Sequence, residues 1–145
     1  MKISTKGRYA LRLMLDLATY NTGEPISLND VAKRQEVSEK YLEQIISILN
    51  RGGLVKSSRG AKGGYSLRHR PEEITVGMIL RLTEGDLAPV ACVSDDNSAE
   101  CSRIETCVTA RVYKKINEAI TGVVDGITLA DMKEWQDETI GTYSI

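Results

Sequence analysis

Cysteine is scarce in this 145-residue chain and confined to one stretch, at Cys92, Cys101 and Cys107. Histidine is scarcer still, with His69 alone. No stretch approaches the roughly 18 consecutive apolar residues of a membrane helix, which argues against a helical membrane protein. Neither GxGxxG nor GxxxxGK[ST] occurs, so the sequence lacks the usual loops for nucleotide phosphates. No general acid/base constellation is present either, and an enzyme is not expected. Paired CxxC knuckles, the common mark of structural zinc, are missing. The basic start, MKISTKGRYALRLMLDLATY, is interrupted by Arg12 and Asp16 and followed by no small-residue cleavage site, so it reads as a helix and not a signal peptide. These absences lead to the expectation of a soluble, cytoplasmic protein, one compact domain with appendages, in which clustered thiols serve metal or redox chemistry.

Charge is present in quantity but unevenly placed. Residues 1–70 carry 13 Lys and Arg against 6 Asp and Glu, a net of +7, and residues 71–145 carry 6 against 14, a net of −8. The first half suits a polyanion and the second does not.

The basic half has the pattern of a winged helix. From Thr5 to about Tyr20, Leu11, Met14, Leu15 and Ala18 fall at helical spacing, with Arg8 and Arg12 on another face. Ser27-Leu28-Asn29-Asp30 has capping-box form and opens a short second helix to about Gln35. After a turn at Val37, Ser38 caps a third helix from Glu39 to about Arg51, packed through Leu42, Ile45, Ile46 and Leu49. Two short helices so joined make a helix-turn-helix pattern. Gly52-Gly53 ends the third helix, and strands at 54–57 and 65–68 flank the Gly-rich hairpin Arg59-Gly60-Ala61-Lys62-Gly63-Gly64, which reads as a wing.

Within this pattern Lys40, Glu43 and Gln44 occupy the helical turns that would face a DNA groove, and Arg59 and Lys62 lie at the wing tip. An amide such as that of Gln44 matches adenine, Lys40 reaches a guanine edge or a phosphate, and Arg59 suits the minor groove. Glu43 repels phosphate and accepts well only from cytosine, so it discriminates more than it binds. A plain solvated helix face is the alternative reading of these residues.

In the acidic half a short helix over residues 74–84 packs through Val76, Ile79, Leu80 and Leu82, and Val93 to Glu100 reads as a loop. After Cys107, the residues Val108, Val112, Ile116, Ile120, Val123 and Ile127 form one stripe down a long helix. That stripe suits either the chain's own core or the same helix of a second copy. Thr128 caps a last helix, with Met132 and Trp135 expected to anchor it. The Cys-x8-Cys-x5-Cys spacing leaves three readings open: an iron–sulfur cluster, zinc, or unliganded redox thiols.

The segments MKISTKGRYAL (1–11), SEKYLEQII (38–46), GLVKSSRGAKGGYSL (53–67), ITVGMILRLTEG (74–85) and ITLADM (127–132) closely resemble the IscR-type iron–sulfur cluster regulators, within the wider winged-helix family that includes CymR and NsrR. The resemblance spans nearly the whole chain. It implies a mainly α fold: a winged helix-turn-helix domain over 1–84, a linker and cysteine loop over 85–107, a dimerisation helix over 108–127, and a C-terminal helix and tail over 128–145. It also implies a homodimer on a roughly palindromic operator, DNA contacts by Gln44 and Arg59, and operator-class choice at Glu43. A cluster held by Cys92, Cys101 and Cys107 is implied too, 2Fe-2S in preference to 4Fe-4S, together with contact with the cluster-assembly machinery. The fourth ligand departs from the pattern: Ala110 stands where many IscR-type proteins carry histidine, and Arg8 stands near where NsrR-type relatives carry an acid. Glu43 and Glu105 are the leading remaining candidates, followed by Glu100, Asp95, Asp96, Thr109, solvent or a small thiol. The rival functions are a cluster-free cysteine-metabolism repressor or thiol sensor, an iron–sulfur carrier or redox protein, and a nonspecific architectural DNA binder.

Overall fold

The computed structural model describes residues 1–95 and 101–143. Asp96 and Glu100, two of the carboxylates considered as donors, lie outside the described residues. Among the described residues there are six α-helices, α1 (Thr5–Thr19), α2 (Leu28–Gln35), α3 (Glu39–Arg51), α4 (Val76–Glu84), α5 (Val108–Gly126) and α6 (Leu129–Tyr143), with one hairpin of β1 (Val55–Ser58) and β2 (Gly64–Leu67).

Each of the first four helices starts where a hydroxyl can take an orphan backbone N–H. Ser4 accepts from Gly7, Ser27 from Asp30, Ser38 from Tyr41 and Thr75 from Met78. Beyond the end of α3 at Arg51, Gly53, with a φ of 79°, lets the Leu54 N–H return to the Leu49 carbonyl at 3.1 Å, the closure of a left-handed cap. The hairpin pairs Val55 with Leu67 through Ser58 with Gly64. Ile26, just before α2, adds a bridge to Tyr65 through two 2.8 Å hydrogen bonds, so the wing is anchored at the root of the helix-turn-helix.

The main core is built by Leu13, Met14 and Leu17 of α1, Val31 of α2, Leu42, Ile45, Ile46 and Leu49 of α3, and Ile79 of α4, all essentially inaccessible. Each such side chain contributes about 1.5–3 kcal/mol on burial. α6 also enters this core. Leu129 is fully buried there, and the backbone of residues 74–76 pairs with that of 127–129, the Val76 N–H reaching the Ile127 carbonyl and the Leu129 N–H the Ile74 carbonyl, both at 2.9 Å. The last helix is thus stapled to the winged domain. Met132 packs against the core as expected, but Trp135 remains 51% exposed, at the rim of an open apolar cleft that it lines with Leu15, Val76, Ile127 and Met132.

A second, smaller core joins the winged domain to the long helix. Leu80 of α4, Leu87 of the linker and Val124 of α5 are buried together, with Ile120 packed beside them. The apolar stripe of α5 therefore divides. Ile120 and Ile127 are partly covered by their own chain, whereas Val108, Val112, Ile116 and Val123 stay between 43% and 73% exposed. Residues of one stripe separate here because Ile120 packs on the Leu80, Leu87 and Val124 cluster and Ile127 lies at the backbone pairing with Val76, whereas Val123 between them faces out at 60% exposure.

Candidate functional site

α3 shows two faces. Leu42, Ile45, Ile46 and Leu49 point into the core, and Lys40, Glu43, Gln44 and Ser47 form an exposed row at positions i, i+3, i+4 and i+7. Lys40, Glu43 and Gln44 have no hydrogen bond or ion pair within the described residues, and their polar ends are available to a partner. Arg59 and Lys62 are likewise exposed on the wing, where Gly60 at φ 111° and the Gly63 N–H to Gly60 carbonyl bond of 2.9 Å tighten the tip. Two exposed cations that were not singled out in the sequence, Lys56 and Arg68, stand on and beside the wing strands. Strand alternation after the buried Val55 was the signal for Lys56.

The turn between α2 and α3 is held by side chains from α1. Asp16, fully covered, accepts from Arg34 Nε at 3.0 Å, Arg34 Nη2 at 2.7 Å and Gln35 Nε2 at 3.0 Å. Arg12 donates to Gln35 Oε1 at 3.0 Å and to the Gln35 carbonyl at 2.9 Å. The sequence carried a hint of this arrangement, since Asp16 falls inside an apolar helical run.

The thiols occupy three consecutive pieces of chain. Cys92 sits half-buried in the 3-10 turn over Ala91–Val93, Cys101 opens a run of turns, and Cys107 is the N-cap residue of α5. The Cys92 turn is tied down by Ser94, which donates to Asp86; that bond, with the Ala88 N–H at 2.9 Å and the nearby Arg81, holds the Asp86 carboxyl below its ordinary range. Cys107 Sγ lies 3.1 Å from Thr109 Oγ1. This hydrogen bond, then the α5 backbone N–H of Ala110 and more weakly Arg103, lowers the thiol pKa, as a helix N-terminus does. Cys107 faces a cleft of about 260 Å³ lined by Ile104, Glu105, Ala110, Arg111 and Lys114.

By donor chemistry these soft thiols, one of them biased toward thiolate, fit a thiolate-held cluster. Their arrangement is open. Among the described residues no three His, Cys, Asp or Glu side chains converge closely enough to hold a metal ion, so neither Glu43 nor Glu105 is brought into a shell with the cysteines. Ala110 is buried and offers only a methyl group, His69 Nε2 is engaged with the Gly53 carbonyl at 3.1 Å, and Arg8 bonds Thr5 of its own helix at 3.3 Å.

A family model described as an iron-dependent transcriptional regulator, Rrf2, matches residues 3–134. The chain is 42% identical over 137 residues to the transcriptional regulator CymR of Bacillus subtilis (strain 168), covering 94% of this chain and 93% of that protein. It is 36% identical over 137 residues to the regulator IscR of Serratia proteamaculans (strain 568), covering 94% and 82%. Among solved structures, B. subtilis CymR superposes with a TM-score of 0.79 at 41% identity, over 93% of this chain and 98% of that one. IscR of T. potens superposes with a TM-score of 0.77 at 42% identity, over 96% and 90%. A family model spanning residues 3–134, close relatives along nearly their whole length, and a helix-turn-helix with an exposed polar row and a wing agree: the chain belongs to the Rrf2 family of transcriptional regulators.

Proposed function

We propose that this regulator binds a roughly palindromic operator as a homodimer, and that its operator affinity follows the state of a 2Fe-2S cluster held by Cys92, Cys101 and Cys107. The observation that carries the reading is the position of Cys107 at the start of α5, the helix whose Val108, Val112, Ile116 and Val123 face solvent. When bound, the cluster supplies an oxygen- and redox-sensitive tie among the three thiolates. The chain does the rest. Val108, Val112 and Ile116 cover one another across the dimer, Arg81 and Leu80 carry the tilt of α5 to α4, and Lys40, Glu43, Gln44, Arg59 and Lys62 read DNA. The regulated genes are those for cluster assembly or sulfur supply, which makes the assembly machinery a natural partner.

A second reading is favoured by the placement of Cys107 on an open cleft with Arg111 and Lys114, its Sγ 3.1 Å from Thr109 Oγ1 at the start of α5, surroundings that favour the thiolate. In it the protein works without a cluster, as a thiol switch or cysteine-metabolism repressor. CymR is described as the global cysteine regulator of B. subtilis, and Staphylococcus aureus CymR has been solved in an oxidised form. Visible spectra with iron and sulfide counts on anaerobically purified dimer separate the two. Charge-transfer bands, with an operator affinity that differs between cluster-loaded and cluster-free protein, support the first. Iron-free, colourless protein whose affinity changes on mild oxidation supports the second.

A further inference from the structure

Asp16 is the one charged residue that is buried among the described residues, and its side chain is fully inaccessible. A buried carboxylate is costly unless strong donors surround it. Here all three donors come from the last two residues of α2, Arg34 with two and Gln35 with one, at 2.7–3.0 Å. Gln35 is gripped a second time. Arg12 takes its amide oxygen and also its backbone carbonyl, one of the terminal carbonyls that a helix leaves unpaired.

Immediately beyond, Glu36 has φ 54°, a left-handed conformation that a residue with a Cβ adopts only when its surroundings hold it there. Two residues on, the Ser38 hydroxyl caps α3 through the Tyr41 N–H at 3.2 Å. Tyr41 meets Tyr9 edge to face, with ring centroids 5.8 Å apart, and Arg12 lies 4.7 Å over the Tyr9 ring. Helix α1 thus grips both sides of the turn that sets the angle between α2 and α3. A group that only added stability would need no such aim, because apolar packing serves that purpose as well as a buried ion pair does.

We propose that Asp16 is a positioning residue for DNA reading: through Arg34 and Gln35 it locks the end of α2 and the left-handed turn at Glu36, so that Lys40, Glu43 and Gln44 meet the groove at one fixed tilt. Asp16 itself touches no DNA. This rests on the reading that α3 enters the groove, and the test separates the two. Wild type, Asp16→Asn, Arg34→Lys and Gln44→Ala are compared, well below the Tm of each, on a duplex enriched from random sequence by the wild-type protein and on a scrambled duplex of equal length and composition.

Arg34→Lys conserves charge while removing the fork and the stack of the guanidinium on the Tyr20 ring, 4.0 Å from its centroid, and it carries the test even where Asp16→Asn fails to fold. The expected result for both is a loss of about tenfold on the enriched duplex, comparable to a mismatched base pair, with affinity for the scrambled duplex unchanged. An unchanged ratio between the two duplexes, with only a lower Tm, makes Asp16 merely structural and overturns the proposal. If that ratio is also unchanged in Gln44→Ala, the reading of α3 has failed and the proposal with it. If Gln44→Ala alone collapses the ratio, the proposal fails and the reading of α3 stands.

Discussion

A methyl group at Gly64 would run into the Ile26 carbonyl oxygen, a backbone atom that cannot step aside without opening the bridge between the wing and α2. Gly64→Ala is therefore expected to lower stability by about 1–3 kcal/mol, in the range of other overpacking substitutions, read as a lower Tm in calorimetry. At Cys107 the prediction concerns reactivity. The Thr109 hydroxyl and the α5 N-terminus favour the thiolate, so the pH midpoint for alkylation of Cys107 in cluster-free protein should lie below that of a cysteine in the unfolded chain. Thr109→Val, which removes the leading cause, should move that midpoint upward; rates of iodoacetamide labelling against pH check both. Neither effect could be read from residue type. Gly64 is one of three glycines in the wing hairpin, with Gly60 and Gly63, and nothing local in the sequence says that it is the one beneath the Ile26 carbonyl.

Between elements, the joint of α4 and α5 is clamped by Arg81, whose Nη1 and Nη2 donate to the two carboxylate oxygens of Asp125 at 2.6 and 2.9 Å. Gly77, one turn earlier on α4, leaves room for that carboxylate, which a Cβ there would strike. Hydrogen bonding to Arg81, with its charge, holds the Asp125 carboxyl below its ordinary value of 3.8. The linked stability is fully present above the unfolded value and is lost as pH falls through the depressed folded one. Both side chains are more than a third exposed, at 42% and 39%, so the contribution is at most about 1 kcal/mol. Asp125→Asn should accordingly flatten the acid limb of a stability-against-pH curve without altering it near neutrality beyond that amount, as measured by denaturant unfolding at a series of pH values. The helices of this joint were legible in sequence as periodic stripes, but the clamp was not. Its partners lie 44 residues apart, and nothing in local spacing selects Asp125 over the other acids of the second half.

For the whole molecule, the exposed row Val108, Val112, Ile116 and Val123 sits in the chain half with a net charge of −8, and the exposed polar row of α3 and the wing sit in the half with +7. Such a division suits self-association at one end and a polyanion at the other. The double variant Val112→Asp, Ile116→Asp places like charges in the middle of that row. On the proposed dimer, wild type should sediment as a dimer and this variant as a monomer that keeps its helical circular dichroism and loses most of its affinity for a two-half-site operator. Folding should survive because neither side chain contributes to either core.

Periodicity, capping residues and glycine placement were enough, read from the sequence alone, for the helix-turn-helix, its wing and the long helix, because those features depend on contacts a few residues apart. Family likeness along the whole chain carried the class of function. Three things waited for the tertiary structure: the docking of α6 into the winged domain, the division of the α5 stripe into covered and uncovered parts, and the grip of Asp16, Arg12 and Arg34 on the turn before α3. Each depends on which distant surfaces meet, and burial and charge pairing are properties of that meeting rather than of any window of sequence.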